Sequence, residues 1–139
     1  KMNIPIKEPS TIKSAGTVYD IMRPIYDARE EGERHKEYFY AIGLNAKNII
    51  IYIDLMDIGT INYCNPPVRE IIRTAIYKDA CSLILVHNHP SGDTNPSIQD
   101  KTFTVKINEA LKHCEIKLLD HVIIGTGFYS FADSGLLTL

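Results

Sequence analysis

The sequence predicts a mixed α/β domain in which helices flank a β-sheet. Three observations support this class. Apolar residues recur at helical spacing in three segments, and aromatic or β-branched runs separated by turn residues lie between them. The run Leu83-Ile84-Leu85-Val86 is continuously apolar, as is typical of a strand buried on both faces. The 139 residues, 45% of them hydrophobic and 23% charged, suit one domain with its own core.

The order of the elements follows from these patterns. We expect residues 1–12 to form an N-terminal arm and residues 13–139 to form the domain, because the first residues carry two prolines and little periodicity. A helix is predicted from Ser14, its N-cap, to about Glu31, with a kink at Pro24. The remaining predicted elements are strands at 38–44, 49–55 and 60–63, a helix from Pro66 to about Asp79, a strand at 83–86, a helix from Pro96 to about Cys114, and strands at 116–125 and 128–131.

Composition narrows the classes of function. The net charge is −2 without a basic stripe, so the simplest argument for nucleic-acid binding is absent, although DNA remains a possible partner. The three cysteines are odd in number, widely spaced and without a CxxC motif, which argues against a disulfide framework and against a thiolate zinc site. Cys81 and Cys114 lie in apolar patterns and are expected to be buried. With no long apolar run and no signal peptide, we expect a cytoplasmic protein without membrane association.

Two histidines follow the buried strand. Because strand side chains alternate between faces, His87 and His89 are expected to point the same way at the C-terminal end of that strand. Open α/β sheets bind their ligands at this end. Taken alone, such a pair more often consists of structural or surface histidines than of metal ligands.

The next helix supplies a carboxylate. We expect Asn95 to cap this helix, and its apolar stripe runs back through Asp100 and Ser97 toward the core. The stripe comprises Phe103, Ile107, Ala110, Leu111 and Cys114. A buried carboxylate is unfavourable unless it is paired or binds a cation. The alternative is that Asp100 only benefits from the helix dipole. Two histidines and one carboxylate leave a fourth position for water, which is typical of catalytic zinc.

The segment at 87–100, HNHPSGDTNPSIQD, fits the JAMM metalloprotease pattern. Together with LILVHNHP, LLDHVIIG and FYSFAD, it resembles the RadC family, called a DNA repair protein family, over roughly residues 37–137. The resemblance implies an MPN-type fold similar in outline to cytidine deaminases. It also implies one Zn²⁺ per chain, with His87, His89 and Asp100 as ligands and water as the fourth.

The resemblance implies two further catalytic residues. Ser97 would hold the water and steady the oxyanion, and Glu37 in KEYFYAIGLN would be the general base and acid. From the residues alone, Glu37 lies in a charge-rich turn and resembles a solvated side chain. Its competitors are Glu31, Glu33 and Asp54. Structural or surface roles are expected for Ser91, Asp93, His35, His113 and His121, and rim or structural roles for Arg69 and Glu70.

Four functions follow as hypotheses. The first is a zinc peptidase or isopeptidase that acts on a peptide or protein substrate, and the second is a DNA-processing or repair accessory protein. RadC proteins commonly carry an N-terminal helix-hairpin-helix-like region, whereas one helix is predicted before Glu37, so a DNA role has less support. A zinc deaminase is disfavoured because the HxE and PCxxC motifs are missing from the sequence. A binding module that keeps its zinc site is the fourth. Substrate and oligomeric state stay open.

Overall fold

A computed structural model describes residues 2–6, 8, 10–59 and 65–137. Within them lie six strands and three helices. The strands are β1 (Met2–Ile4), β2 (Glu37–Leu44), β3 (Ile50–Gly59), β4 (Ser82–Asn88), β5 (Lys117–Gly125) and β6 (Gly127–Ser130), and the helices are α1 (Ala15–Asp27), α2 (Val68–Tyr77) and α3 (Ile98–His113). The predicted mixed sheet flanked by helices is confirmed. The strand predicted at 60–63 lies outside the described residues.

The strands form one sheet in the order β1-β3-β2-β4-β5-β6. Every neighbouring pair is antiparallel except β4 and β5, which are parallel and are connected through α3. Because parallel strands end at the same edge, the carboxyl ends of β4 and β5 and the start of α3 all meet there. This edge holds the candidate site.

Helices cover both faces of the sheet. On one face α1 packs through Val18, Met22 and Tyr26 against strand residues that include Ile84 and Val86. On the other face α2 and α3 pack against the alternate strand residues, among them Leu83 and Leu85. The alternation along β4 therefore places His87 on the α2/α3 face, where it is 1% exposed.

The ends of the helices test the predicted caps. Ser14 caps α1 as predicted and accepts a hydrogen bond from the Thr17 N–H at 3.3 Å. The helix ends at Asp27 rather than near residue 31, with Pro24 in its last turn. The prediction that Asn95 caps α3 is wrong, since Ser97 is the N-cap and the helix starts at Ile98. The Asn95 N–H instead bonds Asp93 Oδ1 at 3.0 Å and closes a turn before the helix.

Part of the predicted N-terminal arm belongs to the sheet. β1 pairs antiparallel with β3, and Asn3 Nδ2 donates to Asp54 Oδ1 at 2.9 Å. The strand predicted at 49–55 is thereby covered along one edge. Hydrophobic periodicity could not reveal β1, because a three-residue edge strand is too short to show one.

The cysteine prediction was wrong. Cys81 and Cys114 are both exposed, because each lies just outside a regular element. Cys81 precedes β4, and Cys114 is the C-cap of α3, so the apolar stripe of the helix ends before it. None of the helices in the described part of the chain has the length and apolar character that crossing a membrane requires.

Candidate metal centre

The two histidines stand side by side at the end of β4. The His89 N–H donates to Ile124 O at 2.9 Å, so pairing with β5 continues one residue beyond β4 and keeps His89 in register. The Nε2 atoms of His87 and His89 are 3.2 Å apart. His87 is buried, and the His89 side chain is 15% exposed at the mouth of the site. The predicted convergence of the imidazoles is therefore present.

Asp100 faces both imidazoles and also caps its helix. Its Oδ1 is 3.2 Å from His87 Nε2, and its Oδ2 is 3.1 Å from His89 Nε2. The same Oδ2 accepts the Ser97 N–H at 2.8 Å, while Ser97 Oγ accepts the Asp100 N–H at 3.0 Å. This reciprocal pair is a capping box. The position of Asp100 is thus compatible with both interpretations, a cap at the helix start and a candidate metal ligand.

A chain of hydrogen bonds begins at Thr104, one turn after Asp100. The Thr104 hydroxyl lies 2.7 Å from the Asp100 carbonyl and 2.6 Å from His121 Nδ1. A carbonyl can only accept, so the hydroxyl donates to it and must accept from the His121 Nδ1–H. Burial lowers the pKa of His121 well below its usual value, so the ring is neutral. Its Nε2 is therefore an acceptor.

That acceptor fixes the tautomer of His87. His121 Nε2 is 2.8 Å from His87 Nδ1, so His87 donates through Nδ1. Burial lowers the pKa of His87 as well, which keeps the ring neutral and leaves the Nε2 lone pair facing Asp100. On the other side of the site, the His89 Nδ1–H donates to the carbonyl of Asp93 at 2.8 Å. In its neutral form His89 likewise presents a bare Nε2.

These donor atoms fit a metal ion. The ligand atoms of His87, His89 and Asp100 all lie within 4.8 Å of one another. Burial alone would raise the pKa of Asp100, but the two neighbouring imidazoles and the Ser97 N–H hold it well below its usual range. Burial lowers the pKa of His89, yet the bonds to Asp100 and to the Asp93 carbonyl outweigh it and raise the value.

Glu37 opens β2 beside this group. It is 7% exposed, in contrast to the solvated side chain expected from its local sequence. Burial raises its pKa to about 7, and the charges of His89 and Asp100 act on it in opposite directions. Asn88, the middle residue of the motif, holds the backbone on both sides of Glu37, since it accepts from the Tyr38 N–H at 2.7 Å and donates to Lys36 O at 3.1 Å.

The other carboxylates weighed for the base have different surroundings. Glu33 is exposed and pairs with Lys36. Asp54 bonds Asn3 on β1, and Glu31 is exposed in the short 3-10 turn Glu31–Glu33. His35 and His113 are exposed, as predicted.

Sequence reasoning missed three groups that orient the candidate ligands. Thr104, the backbone carbonyl of Asp93 and the relay role of His121 were not foreseen, although His121 was predicted to be structural and is buried. Thr104 follows Asp100 by four residues in the helix, which is the spacing at which a threonine hydroxyl reaches a carbonyl. That spacing was the one available signal.

An apolar cavity of about 500 Å³ adjoins the ligand group on the α3 side. His87 and Asp100 contribute to its wall, together with Phe39, Phe103 and Ile98. Ile98 is 82% exposed at the first position of α3, so the cavity is open to a partner from solvent. Its size and lining suit an apolar side chain.

The sheet, the crossover helix and the His-His-Asp group define a JAB/MPN-type domain. The profile of the RadC-like JAB domain family matches residues 12–136, and the chain belongs to that family. The resemblance seen in the motifs is therefore confirmed.

Curated relatives agree with this assignment. A UPF0758 protein of Chlorobium chlorochromatii is 42% identical over 127 residues, which are 91% of this chain and 55% of the relative. A UPF0758 protein of Clostridium acetobutylicum is 46% identical over 104 residues, or 74% of this chain and 45% of the relative. One from Pasteurella multocida is 44% identical over 105 residues, covering 75% and 47% respectively. The chain thus spans about half the length of the relatives it matches.

Proposed function

We propose that this domain is a zinc-dependent hydrolase that cleaves amide bonds in peptides or proteins. The observation that carries the proposal is the convergence of two imidazole Nε2 atoms and one carboxylate, with a buried glutamate beside them. His87, His89 and Asp100 would hold the zinc, and three protein ligands would leave it open to water, as in catalytic rather than structural zinc sites.

Each residue has a specific task in this proposal. Bound zinc would acidify its water and polarise the scissile carbonyl. Glu37 would take a proton from the attacking water and pass it to the leaving amine as the C–N bond breaks, and a pKa of about 7 suits both transfers near neutral pH. Ser97 Oγ already accepts the Asp100 N–H, so its own proton is available to an oxyanion.

The positions of the ligands are prepared in advance. His87 is oriented by His121 and Thr104, and His89 is oriented by a backbone carbonyl. Asp100 is held by the Ser97 N–H at the helix start. Such outer partners reduce the reorganisation needed when the metal binds.

A DNA-processing function is the second candidate. Its support is the repair role implied by the family resemblance. The amide of Asn88, however, is occupied with the backbone around Glu37, and this disfavours a contiguous His-Asn-His nuclease site. A binding module that keeps its metal ligands is the third candidate.

The decisive experiment combines metal content with hydrolysis. We expect zinc at one equivalent per chain and cleavage of a mixed peptide library. Glu37→Gln should retain the zinc and lose about 100- to 10,000-fold of the hydrolysis rate. The matched control is Glu31→Gln, which removes an exposed glutamate that precedes β2 in the sequence and should keep both properties.

Three results would contradict the proposal. The first is a chain that takes up no zinc, and the second is hydrolysis that persists in Glu37→Gln. The third is retained zinc without peptide cleavage but with cleavage of plasmid DNA that Glu37→Gln abolishes, which would favour the DNA-processing alternative.

A further inference from the structure

A second cavity, of about 330 Å³, lies on the α1 side of the same sheet edge. His89 contributes to its wall, as do the end of α1, the loop at 90–92 and the turn at 125–126. Three arginines line it, Arg23, Arg29 and Arg34, against one carboxylate, Asp27. This excess of positive charge stands out in a chain whose net charge is −2.

Neutral oxygens fix two of these arginines. Arg34 donates from Nε to Arg29 O at 3.0 Å and from Nη2 to Asp27 O at 2.9 Å. Arg29 donates from Nη2 to the Tyr40 hydroxyl at 2.7 Å, and its guanidinium lies 3.9 Å from the centre of the Tyr38 ring. Carbonyl and phenol oxygens orient a guanidinium without neutralising its charge, and each guanidinium has five N–H donors.

Arg23 differs because it has a carboxylate partner. Its Nε is 3.2 Å from Asp27 Oδ1, and its Nη1 donates to Gly125 O at 2.7 Å. Among the described residues, Asp27 is the one acidic side chain that lines the cavity. Two positive charges therefore remain for a ligand, on side chains that are already held in place.

We propose that this cavity binds a carboxylate of the substrate, at the opposite side of the metal centre from the apolar cavity. The inference rests on the proposed function, because His89 is the residue that borders the cavity. The substrate would then be a peptide with an acidic group on one side of the scissile amide and an apolar residue on the other. Arginine forks match the planar geometry of a carboxylate.

The form of the cavity favours a peptide over nucleic acid. The arginines surround one concavity of modest volume, whereas a phosphate backbone is followed by a basic stripe along a surface. Two sources of the carboxylate share this chemistry, namely an aspartate or glutamate side chain and a free C-terminus.

The test measures binding of blocked pentapeptides with a central leucine to the zinc-loaded Glu37→Gln chain and to the metal-free wild type. One series places aspartate or asparagine on either side of the leucine, and another compares a free with an amidated C-terminus. Calorimetry should show about tenfold or tighter binding for the carboxylate member of at least one pair. The pair that shows the preference identifies the source of the carboxylate.

Variants tie the preference to the cavity. Arg34→Gln and Arg29→Gln should remove most of it, and Asp27→Asn should strengthen it severalfold by releasing Arg23. Arg73→Gln is the matched control, since Arg73 is an exposed arginine of α2 that pairs with Glu70, and it should leave the preference unchanged. Asp27→Asn keeps the test valid if an arginine variant unfolds, because its expected effect has the opposite sign.

The outcomes separate this inference from the proposed function. Equal affinity for carboxylate and amide peptides, or a preference that survives Arg34→Gln in the folded chain, overturns the inference even if peptides are hydrolysed. An arginine-dependent preference without hydrolysis supports the cavity and counts against the hydrolase. Binding of a single-stranded oligonucleotide that depends on Arg34, with no binding of acidic peptides, overturns the inference in favour of nucleic acid.

Discussion

The two histidines of the candidate metal centre reach the same tautomer by different means. His87 is buried, and its Nδ1–H is held by His121, which is held in turn by Thr104. His89 lies at the mouth of the site, and its Nδ1–H is held by the backbone carbonyl of Asp93. The first arrangement depends on side chains and can be broken by substitution. The second depends on a backbone carbonyl, so a substitution of the Asp93 side chain leaves the bond in place, and only a change that moves the loop removes it.

Removal of either histidine should have the largest effect of the changes considered. It should also distinguish the buried His87 from the partly exposed His89. His87→Ala and His89→Ala are both expected to abolish stoichiometric zinc binding. His87→Ala should also destabilise the metal-free fold by about 2–4 kcal/mol, because it leaves a buried cavity and an unpaired His121. His89→Ala should cost less, since that ring is partly exposed. Chelator competition measures zinc affinity, and denaturant unfolding measures the stability of the metal-free chain. Equal destabilisation by the two variants would refute the contrast between His87 and His89.

The next largest effect, on zinc affinity, is expected from the substitution of Thr104. In Thr104→Val the Nδ1–H of His121 loses its acceptor, so the ring can adopt the other tautomer and reverse the bond to His87. We expect zinc affinity to fall about 10- to 100-fold. Nitrogen NMR of the histidine rings should show the exchange of tautomers directly.

Thr104→Ser is the matched control, because it keeps the hydroxyl and should restore both the tautomer and most of the affinity. If Thr104→Val bound zinc as tightly as the wild type, His121 would be a packing residue only.

Substitution of Glu37 should have a smaller effect on stability, and that effect should depend on pH. Its pKa in the fold, about 7, is above the ordinary value of 4.5. The stability that the protonated carboxyl provides is therefore complete below pH 4.5 and is lost as the pH rises to about 7. Metal-free Glu37→Gln should match the wild type near pH 4.5 and exceed it by about 1–2 kcal/mol at pH 8.

Denaturant unfolding with chelator present measures this difference, and Glu31→Gln should follow the wild type at both pH values. A wild type that is more stable than Glu37→Gln at pH 8 would show that the glutamate is not buried in an uncharged form.

The smallest effect is expected at Asp93. Asp93→Ala removes the carboxylate but keeps the carbonyl that holds His89, so zinc affinity should change by less than about threefold. Gly125→Ala should lower it more, because a Cβ at Gly125 would lie 2.5 Å from Gly92 O and displace the loop that carries this carbonyl. Chelator competition compares the two variants, and a larger loss in Asp93→Ala would place its side chain among the groups that matter.

Much of this site could be predicted from the sequence because its spacing is local. Two residues on one strand and one in the next helix turn converge through the pleat and the crossover alone. The relay through His121 could not be predicted, since it depends on the register between β4 and β5 and on where α3 crosses them. The burial of Glu37 escaped for a related reason, because the residues that precede it in the sequence are charged while the segments that bury it come from elsewhere in the chain.

The elements of the fold likewise divide into those that could be predicted from the sequence and those that could not. The central strands and α1 followed from apolar periodicity and a capping serine. β1 and the two cysteines did not, because short edge strands and residues at element ends are decided by contacts that no local pattern records.

The double task of Asp100 links the metal to the opening turn of α3. Its carboxylate holds the Ser97 N–H and faces the imidazoles at the same time, so an ion that immobilises the carboxylate also restrains the first turn of the helix. Amide protons at the beginning of α3 should therefore exchange with deuterium more slowly in the loaded protein. Chelation should restore fast exchange in that turn while leaving the far end of the helix unaffected.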